Sequence, residues 1–217
     1  IMIKYFTFNH FAENTYLLID KDTKECAIID PGARVEAEKQ QLYTYVQDNK
    51  LMVKHILLTH PHIDHFCGAE DICKHYNLPL TMHKDGEKLL DIYSQRGCDM
   101  GFEAVDTKAM QKNFVEYDTE IILGNTKIKT LDSCGHAPGS ISFYVENEKA
   151  VFVGDAVFYG SIGRTDLFGG DLDLLLSNIR KNILSLPPDT TIYSGHGPAT
   201  EVDYEGANNP YINNLDF

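Results

Sequence analysis

The first third of the chain alternates short runs of β-branched and aromatic residues with turn residues. Ile3-Lys4-Tyr5-Phe6-Thr7-Phe8, Thr15-Tyr16-Leu17-Leu18-Ile19 and Cys26-Ala27-Ile28-Ile29 read as three strands. Asp30-Pro31-Gly32 closes the third, so that Asp30 is either a turn residue or a support for a nearby site. Residues 34–50 are polar and helix-forming, with Val35, Leu42 and Val46 as a modest apolar face. His55-Ile56-Leu57-Leu58-Thr59 is an apolar run cut off by polar residues and Pro61, the pattern of a short buried strand. Residues 68–76 read as a helix and Leu78-Pro79-Leu80-Thr81-Met82-His83 as another strand. Residues 84–113 have weak periodicity and read as either a surface lid or a connector.

Strand patterns return at residues 114–117, 120–123, 126–131, 141–145 and 150–153. Leu172, Leu175, Leu176, Ile179, Ile183 and Leu186 then fall at helical spacing behind Asp171, a helix N-cap residue type, and form a core stripe. Thr191-Ile192-Tyr193-Ser194 is a last strand. This rhythm predicts an α+β fold, a four-layer αβ/βα sandwich with two facing mixed β-sheets and helices outside. No low-complexity linker divides it, and residues 1–217 read as one domain.

Composition narrows the function classes. Apolar residues at 43% of 217 positions can fill a sizeable core. No run is long enough to span a bilayer, and no signal-peptide pattern opens the chain, so a cytoplasmic protein with no membrane partner is expected. A net charge of −13 argues against nucleic acid as a partner. Five cysteines, without a C-x-x-C pair, predict unlinked and mostly buried thiols.

The chemistry concentrates in Thr59-His60-Pro61-His62-Ile63-Asp64-His65, where three histidines and a carboxylate share six positions on an expected strand-to-helix loop. Imidazole nitrogen and carboxylate oxygen are the ligands that zinc and similar divalent ions favour. Three more candidates follow strands, each directly behind a glycine: His136 in Cys134-Gly135-His136, Asp155 in Val153-Gly154-Asp155, and His196 in Ser194-Gly195-His196. His10, His55, His75 and His83 lack neighbouring ligand types and read as structural.

On these residues the chain resembles the metallo-β-lactamase fold superfamily of metal-dependent hydrolases, from about Asn14 to Ile212. Within it the chain is similar to the glyoxalase II (hydroxyacylglutathione hydrolase) branch, through Ser161-Ile162-Gly163-Arg164-Thr165-Asp166 and Asn209-Pro210-Tyr211-Ile212. The resemblance implies two divalent metal ions, zinc first with iron or manganese as alternatives. His60, His62 and His136 would hold one, Asp64, His65 and His196 the other, with Asp155 bridging and Asp30 supporting the loop. It implies cleavage of a small-molecule acyl-thioester, S-lactoylglutathione or another, by a metal-bridging hydroxide that Asp64 orients. No cysteine nucleophile is needed, and Cys67 and Cys134 are expected in the site wall. Arg164 and Asp166 are expected as a structural ion pair. Glutathione-specific members carry a basic C-terminal helical domain. Here 21 residues follow His196, none of them Lys or Arg, so a different thiol-carrier contact is expected. Persulfide dioxygenases are similar over much of the chain and imply a single iron on His60, His136 and Asp155. Metal identity separates the two. A metal-binding scaffold without catalysis would be expected to lack a ligand, and none is missing.

Overall fold

The computed structural model describes residues 1–213. Its first half runs β1 (Met2–Phe8), β2 (Glu13–Ile19), β3 (Glu25–Ile29), α1 (Glu36–Asp48), β4 (Met52–Leu57), α2 (Ile63–Phe66), α3 (Ala69–Tyr76), β5 (Leu80–Met82), α4 (Glu87–Arg96) and β6 (Lys112–Phe114). The second half runs β7 (Glu120–Leu123), β8 (Thr126–Asp132), β9 (Ile141–Val145), β10 (Ala150–Gly154), β11 (Val157–Phe158), β12 (Ser161–Ile162), α5 (Leu172–Asn178), β13 (Thr191–Ser194), β14 (Thr200–Glu201), α6 (Val202–Asn208) and α7 (Pro210–Asn213).

Two six-stranded mixed sheets result, ordered β1-β2-β3-β4-β5-β6 and β14-β13-β10-β9-β8-β7. Strand β2 explains why they stack. All seven of its residues are buried. Tyr16 and Leu18 enter the core between the sheets with Ile128, Phe143 and Phe152. Leu17 and Ile19 enter a second core with Leu42, Val46 and Ile72 of α1 and α3. The period-2 alternation of a strand is therefore present, with apolar residues on both faces. A third core sets Val151, Val153 and Ile192 against Leu175, Ile183 and Val202, covering the far face of the second sheet. The order is helices, sheet, sheet, helices. Among the described residues, no helix is long and apolar enough to cross a membrane.

Several boundaries differ from the sequence reading. Val35 is 48% exposed and precedes α1, whose buried face is Leu42 and Val46. The expected strand at 114–117 lies at Lys112–Phe114, because Tyr117 turns away to stack on His83 at 4.0 Å. The stripe from Leu172 is two pieces. Asp171 caps α5 by accepting from the Leu174 amide, and the helix then widens into a π turn over Ile179–Ile183. Residues 84–113 contain a helix, α4, that weak periodicity hid.

Candidate metal centre

The candidate ligands all sit just past strand ends. His60 and His62 follow β4, with Pro61 between them. Asp64 and His65 lie on the single helical turn α2, so the expected loop is partly helical. His136 follows β8, Asp155 follows β10 and His196 follows β13. The glycines act in two ways. Gly154 has φ +53°, a left-handed turn that aims Asp155 inward. Gly195 lies where a Cβ would stand 2.3 Å from Asp155 Oδ1, so it is required by close approach.

The structure brings all seven residues together. Ligand atoms of His60, His62 and His136 lie within 4.8 Å of one another, as do those of Asp64, His65 and His196. Asp155 stands between the groups. Its Oδ2 is 3.9 Å from His60 Nε2, 3.7 Å from His136 Nε2 and 3.5 Å from His196 Nε2, and its Oδ1 is 3.3 Å from His65 Nε2. Asp64 Oδ2 is 3.0 Å from His196 Nε2.

Outer hydrogen bonds settle which nitrogen faces inward. His65 Nδ1 donates to Asp30 Oδ2 at 2.9 Å, His136 Nδ1 to the Arg164 carbonyl at 2.7 Å, and His196 Nδ1 to the Phe11 carbonyl at 3.1 Å. Thr59 gives its hydroxyl proton to Asp30 Oδ2, leaving Oγ1 to accept from His60 Nδ1 at 3.0 Å. Four Nε2 lone pairs therefore point at the shared space, the arrangement that outer partners impose on metal-binding imidazoles. His60 Nε2, His65 Nε2 and Asp155 Oδ1 are buried without a hydrogen-bond partner. Each such atom costs about 1–3 kcal/mol. Divalent cations would satisfy them, and the donor set of imidazoles and carboxylates fits zinc or iron. Asp30 closes the turn after β3 and also holds Thr59 and His65 through its carboxylate. Its Oδ1 accepts from the Thr59 amide at 2.7 Å.

The charges divide the site. Burial lowers His60 well below its ordinary value, lowers His62 to about 3, and lowers His136. Burial also opposes charge on His65, yet Asp155, Asp64 and Asp30 hold it well above its usual value. Asp155 is held well below the carboxylate range, because His65, His60 and His196 outweigh its desolvation. One triad thus favours neutral imidazoles, while in the other the carboxylates favour positive charge at His65, a charge that a cation bound at Nε2 would supply in place of a proton.

A cavity of about 500 Å³ opens on this centre. Phe11, Ile63, Tyr93, Met100 and Leu167 give it apolar walls, and Arg164 lies at its side. Residues 84–113 therefore supply a wall through Tyr93, whose ring meets that of His62 edge-on at 5.0 Å, and through Met100. None of these apolar residues stood out in the sequence, since an aromatic residue outside a ligand motif carries no signal of its own. Arg164 makes the expected pair with Asp166, at 2.7 Å through Nε, and its carbonyl also orients His136. Cys67 and Cys134 do not line the cavity, contrary to expectation. The Cys67 thiol packs behind the ligand turn on the Gly32 carbonyl at 3.1 Å, and that of Cys134 meets Tyr117 Oη at 3.0 Å. Burial pushes the Cys134 thiol up to about 11, so neither position favours a nucleophile. His55, His75 and His83 are held away from the centre, by the Ile122 carbonyl, the Tyr43 ring and the Tyr117 ring.

Comparison with known proteins agrees with this geometry. The family described as the metallo-beta-lactamase superfamily matches over residues 9–196. The probable metallo-hydrolase YqgX of Bacillus subtilis is 37% identical over 92% of each chain. The hydroxyacylglutathione hydrolase GloC of Haemophilus influenzae is 33% identical over 94% of each. Among solved structures, the B3 metallo-beta-lactamase BLEG-1 superposes with a TM-score of 0.87 at 32% identity, covering 98% of this chain and 100% of its own. TTHA1623, in a di-iron-bound form, gives 0.85 at 30% identity over 96% and 99%.

Proposed function

The chain belongs to the metallo-beta-lactamase superfamily, and from that premise we propose that it is a two-metal hydrolase that cleaves an acyl-thioester. The observation that carries this reading is the convergence of two ligand triads on Asp155, with inward nitrogens fixed by outer hydrogen bonds. His60, His62 and His136 would hold one ion and Asp64, His65 and His196 the other, with Asp155 placed between the two groups. When bound, two divalent ions supply a water whose pKa lies near neutrality and polarise the substrate carbonyl.

The chain's own residues do the rest. Asp64 lines the cavity and orients the attacking water. Asp30 keeps His65 in the tautomer that leaves Nε2 free. Phe11, Tyr93, Met100 and Leu167 exclude bulk water and receive the acyl portion. Among the described residues, no buried acid beyond the ligand set lines the cavity. That favours a leaving group needing little protonation, and a thiolate is one. The likeness to GloC supports the same substrate class, with S-lactoylglutathione as one candidate. Zinc is the proposed occupant, and the di-iron-bound relative makes iron the alternative.

The test is metal content of protein purified without chelator, followed by a panel of acyl-thioesters, esters and a β-lactam. Two equivalents with thioester turnover fit the proposal. A single iron with persulfide-dependent oxygen uptake would replace it by a dioxygenase, and β-lactam turnover alone would replace the substrate class.

A further inference from the structure

The two triads differ in what holds them from behind. His60 is backed by Thr59, and His136 by the Arg164 carbonyl, both outside the N-terminal hairpin. In the other triad, Asp64 and His196 are tied directly to the β1–β2 hairpin and the turn that joins its strands. Asn9 Nδ2 donates to the Asp64 carbonyl at 2.9 Å and to that of Gly32 at 3.0 Å. Thr15 Oγ1 donates to the Asp30 carbonyl at 2.7 Å, but Asp30 grips both His65 and Thr59, which backs His60, so this tie serves both triads. The ties to His196 are the most numerous. Its ring donates to the Phe11 carbonyl, and its backbone forms an antiparallel bridge with Glu13. Asn14 Nδ2 donates to the carbonyls of Ser194 at 3.2 Å and Gly197 at 2.9 Å, while the Asn14 amide donates to that of Gly195 at 2.8 Å. Tyr16 Oη adds a bond of 2.6 Å to Ser194. Thr7 Oγ1 donates to Asn14 Oδ1 at 3.1 Å, which fixes the amide so that Nδ2 faces the carbonyls.

His196 needs these ties. It lies on a short loop between Gly195 and Gly197, and its side chain is 26% exposed, more than those of His60, His65 or His136. A ligand on a two-glycine loop loses its orientation unless the backbone is pinned. Asn14 and Tyr16 are 2% and 4% exposed, so their bonds are not shared with solvent.

We propose that Asn9, Asn14 and Tyr16 of the β1–β2 hairpin and its turn support one metal site only, that of Asp64, His65 and His196. Asn14 and Tyr16 are then positioning residues that set the affinity for the second ion and leave the first untouched. The inference rests on the two-metal reading above.

The experiment titrates metal-free protein with zinc against a chromophoric chelator, for wild type, Asn14→Ala and Tyr16→Phe. The phenylalanine keeps the ring contacts with Phe152 and Tyr193 and removes only the hydroxyl. Thermal melting of the metal-free proteins runs alongside. In both variants one of the two binding constants is expected to fall about tenfold or more, with the other within threefold of wild type. Parallel weakening of both constants, or no change in either for Tyr16→Phe, would overturn the inference. A wild type that binds a single ion would overturn the two-metal reading itself, whereas a two-ion wild type with unaffected variants overturns the hairpin's role alone.

Discussion

At the scale of single residues, close approach matters as much as ligand identity. A methyl group at Gly195 would lie 2.3 Å from Asp155 Oδ1 and 2.5 Å from His65 Cε1, distances that real side chains do not adopt. Gly195→Ala is therefore expected to reduce bound metal and to lower kcat/KM by at least about 100-fold, a loss of roughly 2.7 kcal/mol in transition-state stabilisation. Elemental analysis and steady-state kinetics check both; full metal content would show that the loop yields. A second residue makes a pH prediction far from the centre. Asp20, 4% exposed, accepts from the amides of Asp22, Thr23 and Asn125 and from Thr126 Oγ1, joining the first sheet to the β7–β8 turn of the second. The Thr23 amide above all, and then the other donors against the cost of burial, hold its pKa at about 2 rather than 3.8. A depressed carboxylate stabilises the fold above its unfolded value, and that contribution vanishes as pH falls from 3.8 through about 2. Asp20→Asn should cost roughly 1–3 kcal/mol in urea unfolding at neutral pH. The gap to wild type should narrow in acid. A gap independent of pH would mean that the carboxylate's charge does not contribute. The contrast between these residues explains what the sequence reveals. His60, His62 and Asp155 declare themselves, because polar ligand types cut off apolar strands. Asp20, Asn9 and Asn14 look like ordinary turn and strand-edge residues, and only tertiary contact shows whose carbonyls and amides they meet.

At the scale of elements, burial on both faces makes strands easy to find and partly exposed helices hard. Strands β3, β9 and β10 are nearly continuous apolar runs and β2 is one from Tyr16 to Ile19, and their positions agree with the sequence pattern to within two residues. Helix α4 is hidden because only Leu89, Leu90 and Ser94 are buried, while its Tyr93 faces the cavity. A helix with one side against the core and another against a cavity has no clean amphipathic period. The stripe from Leu172 to Ile183 misleads in the other direction. It stays apolar through the π turn, where the Leu184 amide donates to the Ile179 carbonyl at 2.8 Å, so one pattern covers two geometries. The wall role of α4 is testable. Tyr93→Ala leaves the ligands in place and removes apolar surface beside His62, so KM should rise about tenfold with kcat changed less than threefold. Saturation kinetics on the best thioester measure the split. A collapse of kcat at constant KM would instead put the phenol in the chemistry.

At the scale of the whole molecule, the centre is a cross-link. His60, His62, Asp64 and His65 belong to the first half, and His136, Asp155 and His196 to the second. Around them lie the buried carboxylates of Asp30, Asp64, Asp155 and Glu13, in a chain of net charge −13. Burial pushes Glu13 well above the usual carboxylate range, so it adds little negative charge, but the other three face one another across His65. Cations bound there would satisfy partnerless nitrogens, offset the carboxylates and hold the halves together. Bound metal would therefore be folding free energy as well as a cofactor. Free ion at a thousand times its dissociation constant stabilises the fold by about 4 kcal/mol per site. In a chain of this size each kcal/mol moves Tm by about 2–4 °C, so removing one such ion should lower Tm by roughly 8–16 °C. Differential scanning calorimetry before and after chelation measures the shift. Asp155→Asn should respond less to chelator, because the shared ligand is already weakened. An equal shift in both proteins would mean that the halves are joined by their apolar interface alone, with the ions bound to a scaffold that needs no help from them.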